Sequence, residues 1–186
     1  MSGGRFNLPD LDVSGGRTHR IELLGVDINS VRALGLIPTA STEPSRESLE
    51  TNFEGLRVSS SQTTLGDLTF LVPSTYNPII DRMYVRFLVK SSGDTDTPTI
   101  DATLFRKRAG TALSADLDPT ISAAIPTDTV NAAWVEITVE GQALNPGDAV
   151  TFVFTTGAHT TDNVDVYAVK VEYFGDEAAF YEITGR

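Results

Sequence analysis

Residues 83–90, MYVRFLVK, alternate between apolar side chains at the odd positions and mixed side chains at the even positions. Successive side chains of a β-strand point to opposite faces, so a period of two predicts a strand with one buried face. The odd-numbered side chains would form that buried face, and the even-numbered side chains would point outward.

Five further runs alternate in the same way, namely residues 68–72, 100–104, 134–140, 150–154 and 167–173. Turn-forming residues separate them. In residues 144–148, Pro146 presets φ and Gly147 supplies a positive φ, which predicts a type II turn. No long amphipathic helix interrupts the series, which argues against parallel β-α-β units. The sequence therefore predicts an all-β, antiparallel jelly roll or β-sandwich over residues 54–176, with one short strand in the long connection 110–129. The predicted core includes Phe87, Val135, Ile137, Phe152, Phe154, Val169 and Val171.

Residues 1–53 lack the period-two pattern of the later residues and are predicted to form an extended N-terminal arm. The tetrapeptide SGGR occurs at residues 2–5 and 14–17, and glycine pairs lose much entropy on ordering. The arm is nevertheless too apolar for a solvated linker, so we expect it to lie on another surface. The predicted interface residues are Phe6, Leu8, Leu11, Ile21, Leu23 and Leu24. The alternative is that the arm packs back on its own domain as extra strands.

Short-range signals predict two helices within this arm, at residues 29–37 and 42–53. Thr42 would cap the second helix, and Pro44 would occupy its first turn. Residues 177–186 are predicted to form a C-terminal tail.

Composition excludes several classes of function. There are 14 Lys and Arg residues against 25 Asp and Glu, a net charge of −11, which argues against nucleic acid and anionic membranes as partners. The absence of cysteine excludes disulfides, thiolate metal sites and cysteine nucleophiles. The two histidines, His19 and His159, stand in different regions without a catalytic or metal-binding motif around either. No phosphate-binding loop is present. We therefore expect no enzyme activity and no cofactor, and we assign no residue as a metal ligand.

Acidic residues cluster in two predicted turns, one with Asp94 and Asp96, the other with Asp162 and Asp165. Carboxylate oxygens at such spacing are the ligands that calcium prefers. The EF-hand pattern fails here because Pro98 and Thr99 stand where an acidic or amide residue and a glycine are needed. Calcium bridging and ordinary solvated turns both remain open.

Trp134 shares a predicted strand face with Glu136, Thr138 and Glu140. Carboxylates beside an aromatic ring are typical of a glycosidase cleft or a sugar-binding platform. Residues four apart on a strand are about 13 Å apart, which is too far for a two-carboxylate mechanism. An exposed sheet face, or a subunit interface anchored by Trp134, explains the same pattern. The one basic triplet, residues 106–108, is predicted to end a hairpin.

Residues 63–174 resemble the jelly-roll domain of tailed-bacteriophage capsid decoration, or cement, proteins. The resemblance rests on the order of five features: LTFLVP at 68–73, YNP at 76–78 before the strand 83–90, the strand 100–105 with its basic end, AWVEITV at 133–139 before LNPGDAVTF at 144–152, and the strand 163–174. It implies a virion structural protein on the capsid surface, a homotrimer that binds and stabilises the lattice of the major capsid protein. The arm would then reach a neighbouring subunit.

A second hypothesis remains open. The sandwich would be a carbohydrate-binding module or a virion receptor-binding domain, with Trp134 or Tyr84 as the platform on which a sugar stacks.

Overall fold

The computed structural model describes residues 18–27, 44–121, 124–127 and 131–176; only the backbone is described for 18–27, 120–121 and 176. Within these ranges the chain forms ten strands and no helix. The described residues therefore contain no helix that could span a membrane. The strands are β1 Thr18–Asp27, β2 Ser45–Glu50, β3 Phe53–Val58, β4 Thr64–Leu71, β5 Arg82–Ser91, β6 Ile100–Lys107, β7 Thr120–Ile121, β8 Ala133–Glu140, β9 Ala149–Thr156 and β10 Val164–Asp176.

The strands form two antiparallel sheets packed face to face. The larger sheet has the order β2-β3-β10-β5-β8-β7, and the smaller sheet has the order β4-β9-β6. β10 is 13 residues long and has β5 along one edge. Its other edge is shared, because residues 164–166 pair with β3 and residues 168–176 pair with β1. The predicted antiparallel β-sandwich is confirmed.

The core lies between the two sheets and is built from the alternating positions that the sequence predicts. Phe87 of the larger sheet meets Phe154 of the smaller sheet edge to face, with ring centroids 4.9 Å apart. Phe152 stacks on Phe154 at 5.5 Å. All seven predicted core residues are buried. The predicted turn is also confirmed, because Gly147 has φ +84° and Asp148 N–H donates to Asn145 O at 3.0 Å.

One strand departs from simple alternation. Val164 and Val166 face the core, and so do Val169 and Val171, although the two pairs are an odd number of residues apart. A register shift between Val166 and Ala168 reconciles them, as a β-bulge does. The prediction that Tyr167 shares a face with Val169 is therefore wrong, because the bulge turns Tyr167 to the outer face of the sheet.

The helix predicted over residues 42–53 is wrong. Ser45–Glu50 is a strand with alternating exposure, and it pairs with β3 through a tight turn. Asn52 closes this turn with φ +66°, a conformation that asparagine tolerates better than most residues. The pairing with β3 outweighs the capping signal at Thr42 and Pro44. The helix predicted at residues 29–37 lies outside the described residues.

Two segments of the predicted arm are strands of the sandwich itself. β1 pairs with β10, and β2 pairs with β3, which is the alternative of packing back as extra strands. Both segments are extended, as predicted. Ile21, Leu23 and Leu24 lie on β1, where only the backbone is described. Phe6, Leu8, Leu11 and the tail 177–186 lie outside the described residues, so their predicted roles stay predictions.

The basic triplet, residues 106–108, makes structural contacts with the turns beside it. Arg106 donates to Gln142 O and Ala143 O, both at 2.8 Å, and Lys107 donates to Thr111 O. Arg108 forms a two-pronged ion pair with the buried Asp148, with both distances 2.7 Å. These contacts hold the β8–β9 turn against the end of β6.

The two acidic loops, which contain Asp96 and Asp162, lie at the opposite end of the sandwich and are joined by hydrogen bonds. The Asp96 carboxylate accepts hydrogen bonds from the backbone N–H groups of Thr160, Thr161 and Asp162 at 2.7–2.9 Å. The Asp162 carboxylate accepts from the N–H groups of Thr95 and Asp96, both at 2.8 Å. Each loop therefore fixes the backbone of the other, and both Asp side chains act as structural acceptors.

Truncation of a core ring tests the assigned strand faces. We expect Phe87→Ala to lower the free energy of unfolding by about 3–5 kcal/mol, because the ring is fully buried between the sheets. Chemical denaturation measures the change. Leu71→Ala is the control, since Leu71 is 65% exposed and should change stability by no more than about 0.5 kcal/mol. Equal denaturation midpoints for Phe87→Ala and the parent would contradict the packing described here.

The two structural carboxylates predict how stability depends on pH. Hydrogen bonds from Arg108 lower the pKa of Asp148, and backbone N–H groups, first that of Asp162, lower the pKa of Asp96. A carboxyl group with a lowered pKa stabilises the fold above its unfolded pKa, about 3.9. This contribution is lost as the pH falls through the folded pKa.

We expect Asp148→Asn to lower stability at pH 7 by about 1.5–3 kcal/mol, because charge-assisted hydrogen bonds are lost. The variant should also lose less stability than the parent as the pH falls from about 5 to 2. Urea unfolding across this range measures both effects, with Asp94→Asn as the control at an exposed carboxylate. Parallel pH profiles for Asp148→Asn and the parent would refute the assignment.

Candidate functional site

The outer face of the larger sheet carries the exposed aromatic side chains of the described chain. Trp134 is 45% exposed and Phe53 is 37% exposed. Trp134 lies opposite Leu88 in the register, and Leu88 lies opposite Ala168, beside the bulged Tyr167. Phe53 packs against Tyr167 with ring centroids 5.5 Å apart. We call these four residues, Trp134, Leu88, Tyr167 and Phe53, the aromatic strip.

The aromatic strip crosses the strands instead of running along one of them. Neighbouring strands are about 4.8 Å apart, so the backbones at Trp134 on β8 and Tyr167 on β10 are about 10 Å apart. Phe53, on the hairpin of β2 and β3, extends the strip further.

A row of ionic side chains runs beside the strip. Arg86 is the centre, with its NH2 group 2.5 Å from Glu136 Oε2 and its Nε 3.2 Å from Glu172 Oε2. Lys170 Nζ is 3.0 Å from Glu172 Oε1. We call Glu136, Arg86, Glu172 and Lys170 the charged row. Each member is less than one-third exposed, so the groups are held in place while they still reach the surface.

Two rings of the strip, Trp134 and Tyr167, each have a lysine over them. Lys170 Nζ lies 5.0 Å from the centroid of Trp134, and Lys90 Nζ lies 5.6 Å from the centroid of Tyr167. Each lysine is also held by a glutamate, Lys170 by Glu172 and Lys90 by Glu50 at 3.4 Å. The outer face therefore contains the same aromatic–lysine–glutamate arrangement twice.

The two arrangements differ in exposure. The Tyr167 hydroxyl donates to Glu50 at 3.0 Å, and the side chain is only 5% exposed. Its burial raises the pKa of Tyr167, and the hydrogen bond between Lys90 and Tyr167 raises the pKa of Lys90. Tyr167 is thus buried and packs against Phe53. Trp134, by contrast, leaves almost half of its surface open to solvent.

The carboxylates that the sequence placed beside Trp134 both form ion pairs with arginines. Glu136 pairs with Arg86, and Glu140 pairs with Arg82 on the same face. Among the described residues, no group of three His, Asp or Glu side chains is able to hold a metal ion. The buried His159 uses both ring nitrogens internally, with Nδ1 2.7 Å from Asp162 O and Nε2 3.1 Å from Thr156 Oγ1.

Sequence reasoning found only part of this surface. It singled out Trp134, and Tyr84 lies on the same face beside Phe174 with ring centroids 6.2 Å apart. It missed Phe53 because the residue was assigned to a helix, and it missed Tyr167 because the bulge was not foreseen. Leu88 was the residue from which this surface could have been predicted, since it is apolar at an outward position of the run 83–90.

Comparison with known proteins adds a likeness of fold. No protein-family model and no curated protein sequence matches the chain. Among solved structures, the fold is similar to that of the CBM22-1 xylan-binding domain of Xyn10C from Paenibacillus barcinonensis. The TM-score is 0.54 at 7% sequence identity, over 84% of this chain and 96% of that domain. A CBM4 structure aligns with a TM-score of 0.32 at 13% identity, over 76% of this chain and 91% of that one.

The prediction that the chain is a capsid decoration protein is contradicted, because the solved structure that the fold resembles with a TM-score of 0.54 is a xylan-binding domain and not a capsid protein. The resemblance to decoration proteins rested on the order of strands and turns, which sandwiches of different function share. The predicted homotrimer, the major capsid protein as partner and the virion location receive no support from the fold.

Proposed function

We propose that this protein is a non-catalytic carbohydrate-binding module that binds a polysaccharide chain on the aromatic strip. The observation that carries the proposal is Trp134, an indole exposed on a sheet face and flanked by ion-paired polar side chains. The similarity of the fold to a xylan-binding domain agrees with the proposal.

The chemistry of the face suits a sugar. A pyranose ring has an apolar face of C–H groups, and hydroxyl groups around its edge that donate and accept hydrogen bonds. The indole offers a flat apolar platform for the C–H face of the sugar. The charged row offers carboxylates and cationic N–H groups for the hydroxyl groups at its edge. Because ion pairs already hold these polar groups in place, binding costs less side-chain entropy than it would with free side chains.

The shape of the face suits a chain rather than a small molecule. Drug-sized ligands and cofactors usually occupy concave pockets that bury most of their surface. The aromatic strip instead lies on the surface of a sheet and crosses at least three strands, β8, β5 and β10. A polysaccharide is able to lie along such a strip and to extend beyond it at both ends.

Removal of the exposed indole tests the proposal. We expect Trp134→Ala to weaken binding of the preferred polysaccharide by about 30-fold or more, the effect of truncating a central aromatic contact. Affinity gel electrophoresis against soluble xylan, β-glucan, mannan and pectin identifies the ligand, and isothermal titration calorimetry measures the affinity.

Leu113→Ala is the matched control, since Leu113 is 62% exposed but lies just after β6, at the edge of the smaller sheet. It should bind like the parent. Binding by Trp134→Ala equal to that of the parent would move the site away from the strip. Failure of the parent to bind any polysaccharide in the panel would count against the function itself.

A further inference from the structure

The position of Lys170 on the sheet places two like charges side by side. Lys170 of β10 is directly opposite Arg86 of β5 in the antiparallel register. Like charges in directly opposed cross-strand positions destabilise a sheet, so this pair needs compensation. Glu136 and Glu172 supply it, because Arg86 contacts both carboxylates.

With Arg86 so occupied, the Lys170 ammonium group turns to two other partners. It forms an ion pair with Glu172 at 3.0 Å, and it lies over the ring of Trp134 at 5.0 Å from the centroid. The contacts form a continuous chain from Glu136 through Arg86, Glu172 and Lys170 to the indole. Trp134 is therefore the exposed end of a network whose other members are mostly buried.

We propose that Lys170 is a positioning residue that fixes the indole of Trp134 in its sugar-binding orientation. This inference rests on the proposed function. The ammonium group covers part of the indole, and the open part of the ring is what a sugar would contact. Lys170 thereby sets which surface of Trp134 is presented, and it acts on the ligand through the ring.

The second aromatic–lysine–glutamate arrangement supports this role by contrast. At Tyr167, the same three kinds of side chain are linked by an additional hydrogen bond, from the ring hydroxyl to Glu50. The ring of Tyr167 is buried. Trp134 differs from Tyr167 in being exposed and in lacking a ring hydroxyl group. The lysine contact bears on a ring that remains 45% exposed.

The chain provides its own probe of this contact, because Trp134 is its one tryptophan. Fluorescence of the free protein therefore reports the mobility and accessibility of the indole without any ligand. We expect Lys170→Met to lower the fluorescence anisotropy of Trp134 and to increase its quenching by acrylamide. Lys170→Arg keeps the cation over the ring and should restore both values.

The same variants predict the effect on binding. We expect Lys170→Met to weaken binding of the polysaccharide identified for the parent by about two- to fivefold, the size of a partly exposed cation–π contact. Lys170→Arg should recover most of the affinity. Glu172→Gln weakens the preceding contact of the chain and should shift the fluorescence in the same direction as Lys170→Met. Lys107→Met, at the end of β6 in the smaller sheet, is the control and should change neither readout.

The outcomes separate this inference from the proposed function. Unchanged anisotropy and quenching in Lys170→Met would overturn the positioning role, whatever happens to affinity. Weakened binding with unchanged fluorescence would mean that Lys170 contacts the sugar directly. If the parent binds no polysaccharide, the proposed function fails, and the fluorescence of the free protein alone decides whether Lys170 positions the ring. A urea denaturation midpoint equal to that of the parent shows that each variant is folded.

Discussion

The β-bulge between Val166 and Ala168 is the constraint on which both faces of the larger sheet depend. β10 is the central strand, paired along both edges, so the direction of its side chains affects core and surface together. Without the bulge, the inward faces of Val164 and Val169 would be incompatible, because they are an odd number of residues apart. With it, both valines enter the core and Tyr167 turns outward, where it meets Phe53 and Lys90.

The ion pairs on the outer face contribute more to order than to stability. Partly exposed pairs such as Arg86 with Glu136 each stabilise a fold by about 0–1 kcal/mol, so the sandwich does not depend on them. The hydrophobic core between the sheets supplies that stability. A connected set of pairs instead restricts where each long side chain is able to lie. On this face the connected set reaches Trp134 through Lys170, which lies over the indole.

Alternation in the sequence was sufficient to predict the sandwich, because burial of one strand face leaves a direct period-two signal. Phe87, Phe152 and Phe154 were placed in the core for that reason, and they are buried. The hairpin Ser45–Val58 was not predicted. Its residues have capping signals typical of a helix, and its strand character comes from pairing with β10, which is more than a hundred residues away. Tyr167 was placed on the wrong face because a bulge depends on both neighbouring strands.

The site was harder to predict than the fold because it exists only across strands. Along β8, the outward residues Trp134, Glu136 and Glu140 fit either a subunit interface or a sugar platform. The register adds what the strand alone does not show, since it sets Glu136 against Arg86 and Trp134 against Leu88. The ion pair with Arg86 holds the carboxylate of Glu136 in place. The same carboxylate remains a good hydrogen-bond acceptor. The polar groups beside Trp134 are therefore defined by pairing across the sheet, which no single strand contains.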